Sequence, residues 1–245
     1  MGQRLPRPQN QGENPAVSSA DAQKQAAGAA ACELVDDGMV VGLGTGSTAA
    51  WFVKALGARK PDVRCVSTSE ATADLARGLG LRLFELDEVD KIDLTVDGAD
   101  EIGPGLSLIK GGGGALLREK LVWSASRACV VIADQAKVVP SLGRFPLPIE
   151  VIPFGARRTA TRIQAALASV GIEAVPALRL RDGEPMRTDS GNLIYDAPCE
   201  TIVDPAALAN ELKAITGVVE HGLFLGLAGR ALVGTEEGVT LLLPD

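Results

Sequence analysis

Residues 39–56 read MVVGLGTGSTAAWFVKAL, and this stretch decides the fold. Met39 to Leu43 is a short apolar run without polar alternation, the pattern of a strand buried on both faces. Gly44-Thr45-Gly46-Ser47-Thr48 then turns directly into a helical run from Ala49 to Leu56. A buried strand passing through a glycine turn into a helix is the unit from which parallel α/β sheets are built.

The same grammar extends in both directions. Upstream, residues 18–36 carry an apolar stripe at helical spacing (Ala22, Ala26, Ala29, Ala30, Cys32 to Val35), with Ser18, Ser19 and Asp21 as candidate caps and Asp36-Asp37-Gly38 as its end. Downstream, strands are expected at Val63–Thr68, Leu81–Leu86, Ile92–Val96 and Ala128–Ala133, with helices at Glu70–Gly78 and from Ala115 to about Ser126. Ligands of such sheets sit at the carboxyl ends of the strands, where the polar clusters Gly44–Thr48, Ser67–Glu70 and Asp97–Glu101 fall.

The pattern changes near Pro146. Residues 145–153 read as an extended segment, followed by a helix at about Arg157–Ser169, strands at Ala174–Arg181 and Leu193–Asp196, and a helix at Asp204–Ile215 capped by Asp204 with Pro205 in its first turn. Strand–helix–strand–strand–helix–strand is a ferredoxin-like α+β unit. The expected division is residues 17–146 with 220–245 as a Rossmann-like parallel-sheet domain and 147–219 as an inserted ferredoxin-like domain. Residues 1–16, polar and proline-containing with no apolar signal-peptide core, are expected to form a disordered tail.

Composition narrows the function. Hydrophobic residues make up 46% of the 245, enough for a substantial core, and 24 basic against 31 acidic residues give a net charge of −7. An acidic chain is a poor non-specific partner for nucleic acid or an anionic membrane, so neither is expected as a partner. No apolar run is long enough to span a bilayer, and a cytoplasmic location is expected. Cys32, Cys65, Cys129 and Cys199 form no CxxC pair, which argues against structural zinc and fits buried, reduced thiols. The single histidine, His221, has no GxSxG elbow to serve, so acid–base work falls to carboxylates and lysines.

Four motifs carry candidate chemistry. Thr45, Gly46, Ser47 and Thr48 crowd hydroxyls and backbone N–H groups into a strand-to-helix turn, which suits a phosphate; a dinucleotide site, with Glu70 on a ribose hydroxyl, and a plain capped turn are the alternatives. Asp97-Gly98-Ala99-Asp100-Glu101 clusters three carboxylates that raise one another's pKa, as acid–base catalysts require; a Mg²⁺ site or a solvated turn reads equally from the cluster alone. Lys110-Gly111-Gly112-Gly113-Gly114 offers successive amides to an anion and an ammonium to a developing oxyanion. Glu119 follows in Arg118-Glu119-Lys120, at the start of a helix.

Together with Ala133-Asp134-x-x-Lys137 and the segment 145–153, these motifs occur in the order and spacing of type A ribose-5-phosphate isomerase, and from about residue 20 onward the chain resembles that family. The resemblance implies a Rossmann-like sheet domain carrying an inserted ferredoxin-like domain. It implies an aldose–ketose isomerase of a sugar phosphate that needs no metal and no cofactor, assembled as a homodimer or homotetramer. By the same resemblance Glu119 is the base that moves a proton between C1 and C2, and Asp97 shuttles the proton between the two oxygens. Lys110 and the amides of Gly111, Gly112 and Gly113 stabilise the enediolate, and Asp100, beside Gly98 and Ala99, positions sugar hydroxyls. Thr45, Gly46, Ser47 and Thr48 hold the phosphate with Lys24 and Lys137. The stretch Gly222–Arg230 departs from the Asn-Arg-Gly-Ala-Asp pattern of some members.

Overall fold

The structure, a computed structural model, describes residues 19–244; the expected tail, and residue 18 of the first helix, lie outside the described residues. In chain order the helices are α1 (Ser19–Cys32), α2 (Ser47–Arg59), α3 (Glu70–Gly78), α4 (Leu116–Ser124), α5 (Ala156–Ser169) and α6 (Pro205–Lys213). The strands are β1 (Val40–Leu43), β2 (Arg64–Ser67), β3 (Leu94–Gly98), β4 (Glu101–Ile102), β5 (Leu108–Ile109), β6 (Cys129–Asp134), β7 (Leu147–Val151), β8 (Ala177–Leu178), β9 (Leu180–Arg181), β10 (Glu184–Pro185), β11 (Leu193–Ala197), β12 (Val218–His221), β13 (Leu223–Phe224), β14 (Arg230–Thr235) and β15 (Gly238–Leu242).

The main sheet runs β15-β14-β6-β3-β1-β2. Every pairing in it is parallel except the β14–β15 hairpin at one edge. Strand β1 shows why its residues are apolar throughout. Val41 and Leu43 pack with Ala27 and Ala31 of α1 and Phe52 and Val53 of α2, while Val40 packs on the opposite face with Val122 of α4. The chain steps from β1 outward to β2, then back across β1 to β3. The strand order therefore reverses at the β1–β3 pair, and a crevice opens beyond their carboxyl ends.

The second sheet is four-stranded, β12-β7-β11-β8, and wholly antiparallel. Numbering its strands by chain order gives 4-1-3-2, the ferredoxin-like arrangement. Helices α5 and α6 cover it through Ile163, Leu167, Leu208 and Leu212 against Ile149, Val151 and Tyr195. Strand β12 keeps Glu220 and His221 in this sheet, two residues past 219. A small third sheet, β13-β5-β4, carries Lys110 at its end.

Three expected elements differ. The helix expected to reach residue 36 stops at Cys32, where the Arg59 guanidinium takes the carbonyls of Cys32 and Val35 at 2.6 and 2.7 Å. Residues 81–86 form no strand: only Leu83 bridges β2, at Cys65, and Leu86–Glu88 closes into a 3₁₀ turn whose capping box uses Glu85 and Glu88. The strand expected over 174–181 is broken at Arg179, because the chain leaves β11 there and pairs with β10 instead.

Candidate active site

A cavity of about 130 Å³ lies at the β1–β3 crevice, lined by the β1–α2 turn, the Gly98–Asp100 turn, the glycine loop, Glu119, Lys24 of α1 and Lys137. The structure brings every residue expected at the site to this lining except Asp97, which sits directly beneath it with no exposed surface. A larger cleft of about 290 Å³ lies against a different face of α4, lined by Glu70, Arg77, Glu85 and Arg118 together with Ser67, Ser69 and apolar residues. Its charged pair Glu70–Arg118 is self-satisfied at 2.8 Å, and it includes neither Lys110 nor Glu119.

The turn after β1 is shaped by Asp97. Asp97 Oδ1 accepts from the N–H of Thr45 at 3.0 Å and of Gly98 at 2.7 Å, which joins the ends of β1 and β3. Residue 44 must be glycine, since a Cβ there would stand 2.3 Å from the Asp97 carboxyl carbon. Helix α2 begins at Gly46 with no side-chain cap. Its first N–H groups and positive dipole end face the cavity between Lys24 and Lys137, an arrangement that suits a phosphate. The Thr45 hydroxyl is engaged elsewhere: it lies 2.7 Å from both Thr68 Oγ1 and Ser69 Oγ, and Thr72 Oγ1 donates to the Gly44 carbonyl at 3.0 Å. Of the turn's hydroxyls, those of Ser47 and Thr48 remain for a ligand. Sequence reasoning placed Thr68 and Ser69 in the polar Ser67–Glu70 cluster but not in the support of this turn, and it missed Thr72, which lies two residues beyond that cluster.

Below the turn lies a buried triad. Lys110 Nζ is 3.0 Å from Asp97 Oδ2 and 3.4 Å from Glu119 Oε2, and donates to the Gly98 carbonyl at 2.5 Å. All three side chains are almost fully buried. Trp123 and Phe224 wall the ammonium, each ring centre 5.4 Å from Nζ. Phe224 comes from the stretch 222–230 that lacks the pattern expected from some members of the resembled family; here that stretch backs the lysine, and the Lys110 N–H donates to the Gly222 carbonyl at 2.9 Å. Neither ring is signalled by local spacing.

Burial sets the electrostatics. It pushes Glu119 up from 4.5 to about 8; Lys110 opposes the rise, and Asp97 and Asp100 add to it. Asp97 is raised for the same reason, against the pull of Lys110 and its backbone donors. Burial alone would lower Lys110, but the carboxylates of Asp97 and Glu119 outweigh it and hold the ammonium above its ordinary value. The two carboxyls share the field of one cation and titrate as a pair.

The three carboxylates expected to act as one cluster are drawn apart. Asp97 turns to Lys110, Asp100 accepts from the Gly112 N–H at 2.7 Å, and Glu101 accepts from the N–H of Gly143 at 2.8 Å and Phe145 at 2.6 Å. Among the described residues no group of three or more His, Cys, Asp or Glu side chains could hold a metal ion. Glu101 faces away from the cavity and structures the Gly143–Phe145 turn. The glycine loop turns at Gly111, whose φ of +106° is in the region that favours glycine. Two further residues were not legible. Arg179 reaches the loop from the edge of the second sheet at 2.8 and 3.1 Å, and Gln23, next to Lys24, accepts from the Gln135 N–H at 3.2 Å and ties α1 to the turn bearing Lys137. His221 is buried outside the cavity, its pKa pushed down to about 4 by burial and the nearby lysines.

Comparison with known proteins agrees with this geometry. The family model described as Ribose 5-phosphate isomerase A (phosphoriboisomerase A) matches residues 64–238. Ribose-5-phosphate isomerase A of Caulobacter sp. (strain K31) is 65% identical over 226 residues, covering 92% of this chain and 100% of the relative. That of Bradyrhizobium diazoefficiens is 54% identical over 230 residues, covering 91% and 95%. The crystal structure of ribose 5 phosphate isomerase A from Neisseria gonorrhoeae superposes with a TM-score of 0.85 at 36% identity, covering 92% of this chain and 98% of that one. A D-ribose-5-phosphate isomerase in complex with phospho-erythronic acid gives 0.85 at 39%, covering 91% and 99%. A family model over residues 64–238 and a relative 65% identical along its whole length show that this chain belongs to the ribose 5-phosphate isomerase A family.

Proposed function

We propose that this chain interconverts D-ribose 5-phosphate and D-ribulose 5-phosphate through an enediolate, by proton transfer alone. The single observation that carries the mechanism is the buried Glu119–Lys110–Asp97 triad against a cavity whose far wall is a helix N-terminus. In this reading the phosphate sits at Gly46–Thr48 with Lys24 and Lys137, anchoring a sugar whose own grip is weak. Glu119 takes the proton from C2 and returns it to C1. A base whose pKa is raised to about 8 can accept a proton near neutral pH and give it back. Lys110 and the glycine-loop amides stabilise the charge that develops on oxygen, a pre-organised term that is usually large. Asp97 moves the hydroxyl proton between the two oxygens, and Asp100 orients the sugar.

Isomerisation moves no hydride, so the reading requires no nicotinamide. The proposed division of the chain gives the catalytic groups to the parallel-sheet domain and makes residues 147–221 the inserted unit, because β12 completes its sheet. A homodimer or homotetramer and a cytoplasmic location belong to the same proposal; light scattering and cell fractionation read them out. Among the described residues no helix is long and apolar enough to cross a membrane.

The test is ribulose 5-phosphate formation from ribose 5-phosphate by purified protein in EDTA without added cofactor. Glu119→Gln should cut kcat by roughly 10²–10⁴-fold. Near-normal turnover in that variant would remove Glu119 as the base. Binding of sugar phosphate without turnover by the unaltered protein would replace the enzyme with a sensor.

A further inference from the structure

Arg179 lies outside the cavity, between β8 at the edge of the second sheet and β9, at the point where the chain changes partner. Its backbone is fixed on both sides: its N–H donates to the Ile194 carbonyl at 2.8 Å, and its carbonyl accepts from Met186 at 3.0 Å. Its guanidinium is gripped by Asp196 of β11 through two parallel bonds, Nε to Oδ2 at 2.8 Å and Nη2 to Oδ1. The remaining Nη1 donates to two successive carbonyls of the glycine loop, Gly111 at 2.8 Å and Gly112 at 3.1 Å. The Arg179 side chain is 12% exposed and that of Asp196 25%, so this grip is partly shielded from water.

Peptide planarity turns that grip into a statement about the site. The described chain has no cis peptide bonds, so each carbonyl points opposite to the N–H that follows it. Drawing the Gly111 carbonyl toward Arg179 aims the Gly112 N–H the other way, and that N–H meets Asp100 Oδ2 at 2.7 Å. Drawing the Gly112 carbonyl the same way aims the Gly113 N–H toward the cavity that Gly113 lines. Four glycines offer no side chain to hold this orientation, and without an external anchor the loop has many accessible conformations.

We infer that Arg179 is a positioning residue for the isomerisation: from the edge of the second sheet, gripped by Asp196, it sets the direction of the Gly112 and Gly113 amides and through Gly112 the carboxylate of Asp100. The inference rests on the proposed role of the loop in stabilising the enediolate. It also gives the ferredoxin-like sheet a part in the chemistry, since Asp196 stands on its strand β11 and Arg179 directly follows its edge strand β8.

The test separates the reacting end of the substrate from its phosphate. Arg179→Met should lower kcat for ribose 5-phosphate about 10- to 100-fold, the scale of a misplaced catalytic group, with KM changed less than about 3-fold. Inhibition by phospho-erythronate, whose planar carboxylate resembles the enediolate end, should weaken in step with kcat, while inhibition by inorganic phosphate should hold. A kcat within about 2-fold of the unaltered protein would overturn the inference. So would a loss in which inorganic phosphate and phospho-erythronate weaken together, since that marks general disruption of the site. If Arg179→Met does not fold, Arg179→Lys carries the test: lysine keeps the charge but lacks the fork that joins Asp196 to both carbonyls, and the same split should appear at smaller size. Unaltered protein with no turnover would remove the proposed function itself; normal turnover there beside an unaffected Arg179→Met removes only this inference.

Discussion

Replacing Glu119 by glutamine should stabilise the protein at alkaline pH while it destroys activity. The carboxyl is raised from 4.5 to about 8, chiefly by burial. Between those two values the folded protein holds a proton that the unfolded chain has released. The contribution is therefore complete below the unfolded value and is lost as pH climbs to the folded one. At about 1.4 kcal/mol per pH unit, the whole shift has an upper limit of about 5 kcal/mol, and the interval from pH 6 to 8 accounts for roughly 2–3 kcal/mol. Part of the slope will survive in the variant, because Asp97 is raised too and titrates with Glu119. Glutamine leaves the Lys110–Asp97 contact at 3.0 Å in place, so the ammonium is not stranded. Urea unfolding at fixed protein concentration, followed by far-UV circular dichroism at pH 6, 7, 8 and 9, measures the difference. The unaltered protein should lose stability across this range. The variant should lose at least about 1 kcal/mol less between pH 6 and 8 and should be the more stable of the two at pH 9. Parallel curves, or a variant that is less stable at pH 9, would mean that Glu119 is already ionised in the folded protein at neutral pH. The argument for a raised base would then fall.

Two further substitutions test the two ends of the cavity. Thr48→Val should raise KM severalfold with a smaller effect on kcat, because phosphate contacts are shared by ground and transition states; an unchanged KM in steady-state assays would count against the phosphate wall. Lys110→Met removes the cation that holds Glu119 down, so kcat should fall roughly 10²–10³-fold and the acidic limb of the kcat/KM profile should move to higher pH. A limb that stays in place, or moves to lower pH, would show that the lysine does not set the base.

Elements stabilised by local pattern were legible, and those stabilised by partners were not. Helix α3 was read as Glu70–Gly78 and is so bounded, because its cap is local: Ser69 Oγ accepts from the Thr72 N–H at 3.2 Å. The segment 81–86 alternates like a strand but lies outside β2 at the sheet edge, where one bridge at Cys65 is all it obtains. The order of the four-stranded sheet was implied only by its sequence of elements; its pairing needs contacts such as Tyr195 with Ile149 that no local pattern announces. The site divides in the same way. Turn glycines, clustered carboxylates and a lysine before four glycines mark themselves by composition. Arg179 stands 68 residues from Gly111 in an unremarkable run, and Phe224 more than a hundred from the lysine it walls. What holds a catalytic group in place leaves no local signature, because its effect comes through space.

The buried triad also has a charge logic. One ammonium stands 3.0 and 3.4 Å from two carboxyl groups. Burial penalises the surplus negative charge, so both carboxyls are raised. In the proposed reaction Glu119 takes a proton from carbon, and its negative charge passes to the enediolate oxygen. Lys110 faces the charge before and after the transfer, and the net charge of the pocket does not change. No new ion has to be created in a dry environment, which would otherwise be the largest cost of placing this chemistry out of water. The device works only if the ammonium stays where it is, and a lysine on its flexible stem is a poor fixed charge unaided. The Gly98 carbonyl and the two ring walls of Trp123 and Phe224 leave it one place to be. Phe224 is therefore part of the electrostatics of the site although it bears no charge: it holds the one ion on which the base, the enediolate and the proton shuttle all depend.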